Sequence, residues 1–495
     1  MEPLLSLSEE IDLDPQDWEE FRELAHRMLD EAIDFTAGVR DRPVWQPVPA
    51  DVRMRLSEPV PLEGLPLETV CAEFQDSILP YATGNVHPRF LGWVHGSGQA
   101  GNLVAEMLAA AMNCNCGGRD HGAIYVERAI IEWCRQIFGF PAEASGLLLS
   151  GTSMANLVAL GVARHAADPS VRSRGFTDAP AKLVAYASAE AHESVAKALE
   201  MLGLGSASLR RIPVHSDFTM QIDALRAAVT ADRVAGLRPF CAVGSAGTVN
   251  TGAIDDLDQI ASLCASENIW FHVDGAFGAL CILSDALRSR LKGIERADSL
   301  AFDFHKWMHV QYDAGCVLVR NGALHRAAFA TRPAYLDRLP RGLAGGENWP
   351  CDFGPELSRS FRALKVWFAM KQHGTRKFGE LIEQNCTQAR FLAARVAKES
   401  DLEILAPASL NIVCFRCRNS AMTESELDLL NEDIVADLQE SGIAAPSTSR
   451  IAGHLAIRVN ITNHRTRAAD LDLLVDSVLQ AARLRTAKTP TLPGV

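Results

Sequence analysis

A lysine follows a histidine just after an apolar run in Ala301-Phe302-Asp303-Phe304-His305-Lys306-Trp307. Most single lysines are solvated surface groups. Here residues 296–304 read as a buried strand, so Lys306 falls at its carboxyl end. One element earlier, Ile269-Trp270-Phe271-His272-Val273-Asp274-Gly275-Ala276 is a second apolar strand that ends in an acid. Open α/β sheets bind ligands at the carboxyl ends of their strands. An acid and a lysine placed there suit pyridoxal phosphate (PLP) chemistry. The lysine forms an imine with the aldehyde, and the carboxylate keeps the pyridine nitrogen protonated so that the ring accepts electrons. Imine formation needs a partly neutral amine, which desolvation and nearby cations favour.

Three further motifs bear on this site. Ser150-Gly151-Thr152-Ser153-Met154-Ala155-Asn156 follows a strand and opens a helix, where backbone N–H groups and the hydroxyls of Thr152 and Ser153 make a phosphate site. An ordinary capped turn is the alternative, and Asp274 with Lys306 favours the phosphate. Ala189-Glu190-Ala191-His192-Glu193-Ser194 puts a histidine at another strand-to-helix junction, either to cap the helix or to stack on a cofactor ring. Gly96-Ser97-Gly98-Gln99-Ala100-Gly101 matches the dinucleotide pattern G-x-G-x-x-G, with Asp120 about 20 residues on. No β-α-β unit surrounds it, and residues 113–122 are a polar, glycine-rich loop, so a dinucleotide is the weaker reading.

The elements that must position these groups run through residues 146–320, where strand-like and helical stretches alternate. That repetition implies a mostly parallel sheet with helices on both faces. Before it, residues 15–39 carry an amphipathic helix with Asp14 as the predicted N-cap, suited to packing on a partner subunit. A proline-marked linker and a helix over 67–78 follow. Residues 330–355 form an irregular stretch containing Tyr335, of the kind that makes active-site loops. A helix over 361–372, another ending near 399, strands at 403–405 and 410–416, a helix at 424–441 and a strand at 455–461 give a small α+β lobe. The predicted boundaries are 1–90 for the N-terminal segment, 91–376 for the large domain and 377–495 for the small one.

The 495 residues carry a net charge of −13 with scattered basic groups, which argues against nucleic acid as a partner. No apolar run approaches a membrane span, and the first ten residues do not read as a signal peptide. The 12 cysteines show no secreted-type framework, so buried free thiols in a reducing cytoplasm are expected. Cys414 and Cys417 match C-x-x-C but lie in a strand-like run that would turn them to opposite faces. No metal site is expected.

In this order the motifs resemble the group II PLP-dependent amino acid decarboxylases over nearly the whole chain. His87-Pro88-Arg89-Phe90 is similar to the family's early active-site turn, and Ser358-Arg359-Ser360-Phe361-Arg362-Ala363-Leu364-Lys365 to the helix entry after its mobile loop. The resemblance implies a fold-type I enzyme with a seven-stranded sheet, pyridoxal 5'-phosphate as cofactor, and an obligate homodimer with its site at the subunit interface. It assigns Lys306 to the Schiff base, Asp274 to the pyridine nitrogen, His192 and Ala276 to packing on the ring, Thr248 to the ring and substrate, and Thr152, Ser153 and His305 to the phosphate. Tyr335 aligns with the loop tyrosine that returns a proton to the α-carbon. A phenylalanine there accompanies aldehyde formation in plant relatives.

This chain departs from the family in places. Asp303-Phe304 stands where the family often has Asn-Pro. Asn85 takes the place of a pocket Trp, Trp93-Val94-His95-Gly96 that of Tyr-Phe-Pro-Thr, and Asn113 and Asn115 that of apolar residues from the partner subunit, with Arg119 nearby. The implied substrate pocket is His87, Trp93, His95, Asn115 and Arg119. The implied function is decarboxylation of an L-amino acid to its amine, of the aromatic type. An acidic or polar substrate (glutamate, aspartate or cysteine sulfinate), or decarboxylation-dependent aldehyde synthesis, is the alternative.

Overall fold

The computed structural model describes residues 12–176, 182–331, 339–346 and 348–488. The N-terminal segment holds α1 (Trp18–Ala37), α2 (Ala50–Arg55) and α3 (Leu67–Ser77), and then β1 (Phe90–Leu91). The cap of α1 is Asp17, whose carboxylate accepts the N–H groups of Glu19 and Glu20; the predicted cap, Asp14, lies three residues too early. None of α1 is buried in the single chain.

The large unit starts with α4 (Gly101–Met112) and α5 (Gly122–Ile137). Then follow β2 (Ser145–Leu149), α6 (Thr152–Ala167), α7 (Val171–Arg174), β3 (Leu183–Ser188), α8 (Ser194–Met201), β4 (Leu209–Ile212) and α9 (Ile222–Val234). It continues through β5 (Arg238–Ser245), α10 (Leu257–Glu267), β6 (Trp270–Asp274), β7 (Ser299–Asp303), β8 (Gly315–Val319) and α11 (Gly322–Phe329). These strands form a seven-stranded sheet in the order β2-β8-β7-β6-β5-β3-β4. β4, β3, β5, β6 and β7 pair in parallel, while β8 runs antiparallel to β7 and β2. The edge strand β4 escapes the apolar pattern because its centre is Arg210-Arg211, a charged edge of the kind that blocks further pairing.

The sheet is buried on both faces, which is why its strands read as continuous apolar runs. Leu300 and Phe302 of β7 point into one core; Ala301 points into the other, against Ala155, Val158 and Val162 of α6. By the same period of two, Asp274 and Asp303 fall on the α6 side of adjacent strands, whose register pairs Asp274 with Ala301.

The long helix α12 (Arg362–Val396) is interrupted at Gly374, whose φ of 70° leaves the helical region. It leads to β9 (Leu402–Ile404), β10 (Ile412–Cys417), α13 (Glu424–Glu440), β11 (Ala445–Ile451), β12 (His454–Asn460) and α14 (Ala468–Lys488). The second sheet runs β1-β11-β12-β10-β9. Its strand β11, Ala-Pro-Ser-Thr-Ser-Arg-Ile, was not legible in the sequence because polar residues fill its centre. β1 pairs in parallel with β11, tying the early His87 turn to the small lobe. Among the described residues no disulfide forms, and burial pushes the Cys414 and Cys417 thiols up to about 12, so they are inert. Among the described residues no helix is long and apolar enough to cross a membrane.

Candidate active site

A cavity of about 510 Å³ opens at the carboxyl ends of β6 and β7. Thr152, Ser153, His192, Thr248, Asp274, Ala276, His305 and Lys306 all line it, and so do Trp93 and His95. Residues spread over more than two hundred positions thus meet in one place.

Chain geometry beyond β7 fixes the lysine. The N–H groups of Phe304 and His305 both donate to the carbonyl of Ala314, folding the segment back over β8. Trp307 is fully buried, donates Nε1–H to Asn385 Oδ1 of α12 at 2.9 Å and packs on Phe277. Gly96 sits so close beneath that a Cβ there would lie 2.0 Å from the His305 carbonyl oxygen. The glycine-rich stretch 96–101 therefore buttresses the lysine segment instead of cradling a dinucleotide; Gln99 Nε2 also donates to the Met308 carbonyl at 3.2 Å.

Side-chain protonation in this segment can be read from the partners. His305 Nδ1 accepts the Ala314 N–H at 3.0 Å, so the neutral ring carries its proton on Nε2, which lies 3.6 Å from Asp303 Oδ2. Burial, against the pull of Asp303, holds this imidazole below its usual range. Lys306 Nζ lies 3.0 Å from the same Asp303 oxygen.

Asp274 is held by a chain of hydrogen bonds in which every donor is determined. Asn156 Nδ2 on α6 donates to Asp274 Oδ2 at 2.9 Å, so Asn156 Oδ1 is an acceptor and receives His272 Nε2–H at 2.9 Å. His272 Nδ1 then accepts from Ser299 Oγ at 2.9 Å, and Ser299 Oγ accepts from Trp270 Nε1 at 2.8 Å. Burial pushes His272 down to about 4, which keeps the ring neutral, as this pattern demands. Asp274 Oδ1 accepts only the Ala276 N–H among the described residues, at 3.2 Å, leaving a lone pair for the cavity.

His192 is oriented in the same way. Its Nδ1 accepts the Ser194 N–H at 3.1 Å and faces Ser194 Oγ at 2.8 Å, so Nε2 is the protonated nitrogen. Ser194 Oγ also accepts from Asn156 at 3.0 Å, which links the His192 and Asp274 clusters through one amide. Thr248 is buried in a turn where its Oγ1 accepts the Ala253 N–H at 3.1 Å. From the small lobe, the buried Arg458 donates to the carbonyls of Val249 and Trp93, gripping the Thr248 turn and the Trp93 loop together. Among the described residues its hydrogen-bond acceptors are neutral oxygens, and burial lowers this guanidinium to about 10.

One wall of the cavity is aromatic. The Trp93 and His95 rings stack at 6.0 Å, Phe90 and His95 at 5.5 Å, and Tyr312 meets His95 edge-on at 6.0 Å. Tyr312 also lies over His305, centroid to centroid 4.4 Å. Nothing in the sequence marked Tyr312, which sits in a loop six residues past Lys306. Asn156 closes the Ser150–Asn156 motif, but its partners Asp274 and His272 lie more than one hundred residues away in sequence.

Three residues of the expected pocket lie elsewhere in this chain. His87 is buried outside the cavity, where its Nδ1 accepts the Arg89 N–H. Asn115 Oδ1 is used by the N–H groups of Gly117 and Arg359. The Arg119 guanidinium sits over the Trp349 ring, 4.7 Å from its centroid. Tyr335 lies outside the described residues.

A family profile, the pyridoxal-dependent decarboxylase conserved domain, matches residues 49–418. The chain belongs to the pyridoxal-dependent decarboxylases. The aromatic-L-amino-acid decarboxylase of Bacillus atrophaeus is 34% identical over 457 residues, covering 92% of this chain and 93% of that protein. Histidine decarboxylase of Drosophila melanogaster is 30% identical, covering 92% of this chain and 54% of that protein. Among solved structures, Oryza sativa TDC with PLP and tryptamine superposes with a TM-score of 0.88 at 25% identity, over 96% of this chain and 100% of that one.

As a pyridoxal-dependent decarboxylase, the protein is a carboxy-lyase that removes CO₂ from an amino acid with PLP as cofactor. The residues fit that group. Thr152 Oγ1 is buried in the first turn of α6 with no partner among the described residues, a polar atom awaiting an anion. When bound, PLP supplies the electron sink for the charge left at the α-carbon.

Proposed function

We propose that the protein decarboxylates an L-amino acid with a flat aromatic side chain. In this reading Lys306 carries the cofactor, Asp274 faces its pyridine nitrogen, and Thr152, Ser153 and His305 hold its phosphate. His192 and Ala276 pack against the ring, and the His192 Nε2–H faces the substrate. Thr248 borders ring and substrate, and Tyr335 returns the proton to the α-carbon.

The observation that carries the reading is the meeting of Lys306, Asp274 and the α6 N-terminus around one cavity with an aromatic wall. A homodimer is supported by apolar groups left uncovered in the single chain: Trp18, Phe21 and Ile33 on α1, Phe74 on α3, and Met107 and Met112 on α4. A cysteine-containing chain with no disulfide among its described residues supports a cytoplasmic setting. In a dimer, Asn115 and Arg119 would reach the partner's cavity.

The test is release of CO₂ from tryptophan, tyrosine, phenylalanine, histidine, glutamate and aspartate by the purified holoenzyme. The reading predicts turnover within the aromatic set, with an amine as product and no peroxide or ammonia. Preference for glutamate or aspartate would reject it.

A further inference from the structure

The departure at Asp303 has a structural counterpart. Its side chain is only 2% exposed and that of Lys306 21%, so the two meet largely out of water. Asp303 Oδ2 lies 3.0 Å from Lys306 Nζ and 3.6 Å from His305 Nε2. Asp303 Oδ1 accepts the Thr152 N–H at 2.7 Å. One carboxylate therefore holds both the amine that must react and a backbone donor at the start of α6, where the cofactor's phosphate would bind.

We propose that Asp303 is the resting counter-ion of Lys306. In the cofactor-free protein it keeps the ammonium drawn against the first turn of α6, and the pair must part before the cofactor loads. Loading removes one proton from the ammonium to solvent, joins the amine nitrogen to the aldehyde carbon, and expels the aldehyde oxygen as water. The 3.0 Å ion pair, largely shut off from water, has to be broken before the nitrogen can reach the aldehyde carbon. The Asp303 anion also opposes a phosphate arriving at the Thr152 N–H. Asp303 is thus a positioning residue that slows loading and, once the lysine is free, lies beside the α6 helix end.

This inference rests on the PLP reading, and the test separates the two. Cofactor-free wild type, Asp303→Asn and Asp303→Ala are mixed with PLP or with pyridoxal, which lacks the phosphate, and growth of visible absorbance is followed. Asparagine keeps the shape and one acceptor for the Thr152 N–H; alanine guards against a fault peculiar to the amide. The proposal predicts faster reaction with pyridoxal in both variants, by about fivefold or more, and a larger gain with PLP. A residue needed only for structure would give slower loading on removal. Equal or slower rates, or a gain confined to PLP, overturn the counter-ion assignment while leaving the PLP reading intact. Absence of the band from wild type and variants alike overturns both.

Discussion

Asn156 Nδ2 lies 2.9 Å from Asp274 Oδ2, and the other end of the same amide accepts from the neutral His272. Asn156 thereby turns Asp274 so that its second oxygen faces the cavity. A hydrogen bond to a buried charge contributes about 1.5–3 kcal/mol. Asn156→Ala is therefore expected to weaken PLP binding by roughly 10- to 100-fold, in step with that energy. Equilibrium titration of the cofactor-free variant measures it.

Acid should destabilise the fold through its buried histidines. An unfolded histidine takes up a proton near 6.5, but burial lowers that point for His272 to about 4. Between these values the unfolded state binds more protons, so stability is full above 6.5 and is lost as pH falls toward 4. His87 and His464, at about 4, and His325, at about 3, act in the same direction. Asp255, raised to about 6 by burial, acts oppositely between 3.8 and 6, but it is outnumbered. Thermal melts of the cofactor-free protein should show Tm falling from pH 6.5 to 4. His272→Gln should flatten that slope, its share being on the order of 3 kcal/mol.

A buried ion pair closes the sheet edge near β2. Arg359 donates to both oxygens of Glu127, at 2.6 and 2.9 Å, and also to the carbonyls of Leu148 and Cys116. Removing one partner leaves a charge with no water, which costs about 3–5 kcal/mol. Arg359→Met should lose stability on that scale in urea titrations. The double change Arg359→Met with Glu127→Leu should recover part of it.

Trp93 is 52% exposed, so Trp93→Ala should leave the melting temperature nearly unchanged. Losing its flat face from the Phe90–His95 stack should raise KM for the best aromatic substrate about tenfold, with a smaller effect on kcat. Steady-state kinetics decide this.

The site's two ends were legible because they obey local rules. Apolar strands leading to an acid and to a lysine mark Asp274 and Lys306, a Gly-Thr-Ser turn before a helix marks Thr152 and Ser153, and all four line one cavity. What escaped depends on contacts far apart in sequence. Tyr312 reaches the cavity only because the segment after Lys306 folds back on β8 through Ala314, and Arg458 acts from the small lobe on carbonyls more than two hundred residues away. The glycine pattern at 96–101 misleads as a motif because close backbone packing and anion binding both call for glycine. It is the carbonyl of His305, not a pyrophosphate, that approaches Gly96.

The central claim is that the cofactor is carried by Lys306. Borohydride reduction of the holoenzyme followed by peptide mass mapping tests it directly. The phosphopyridoxyl mass increment is predicted on the peptide containing Lys306, with none in the Lys306→Ala protein. An increment on another lysine, or none after saturation with PLP, would contradict the account.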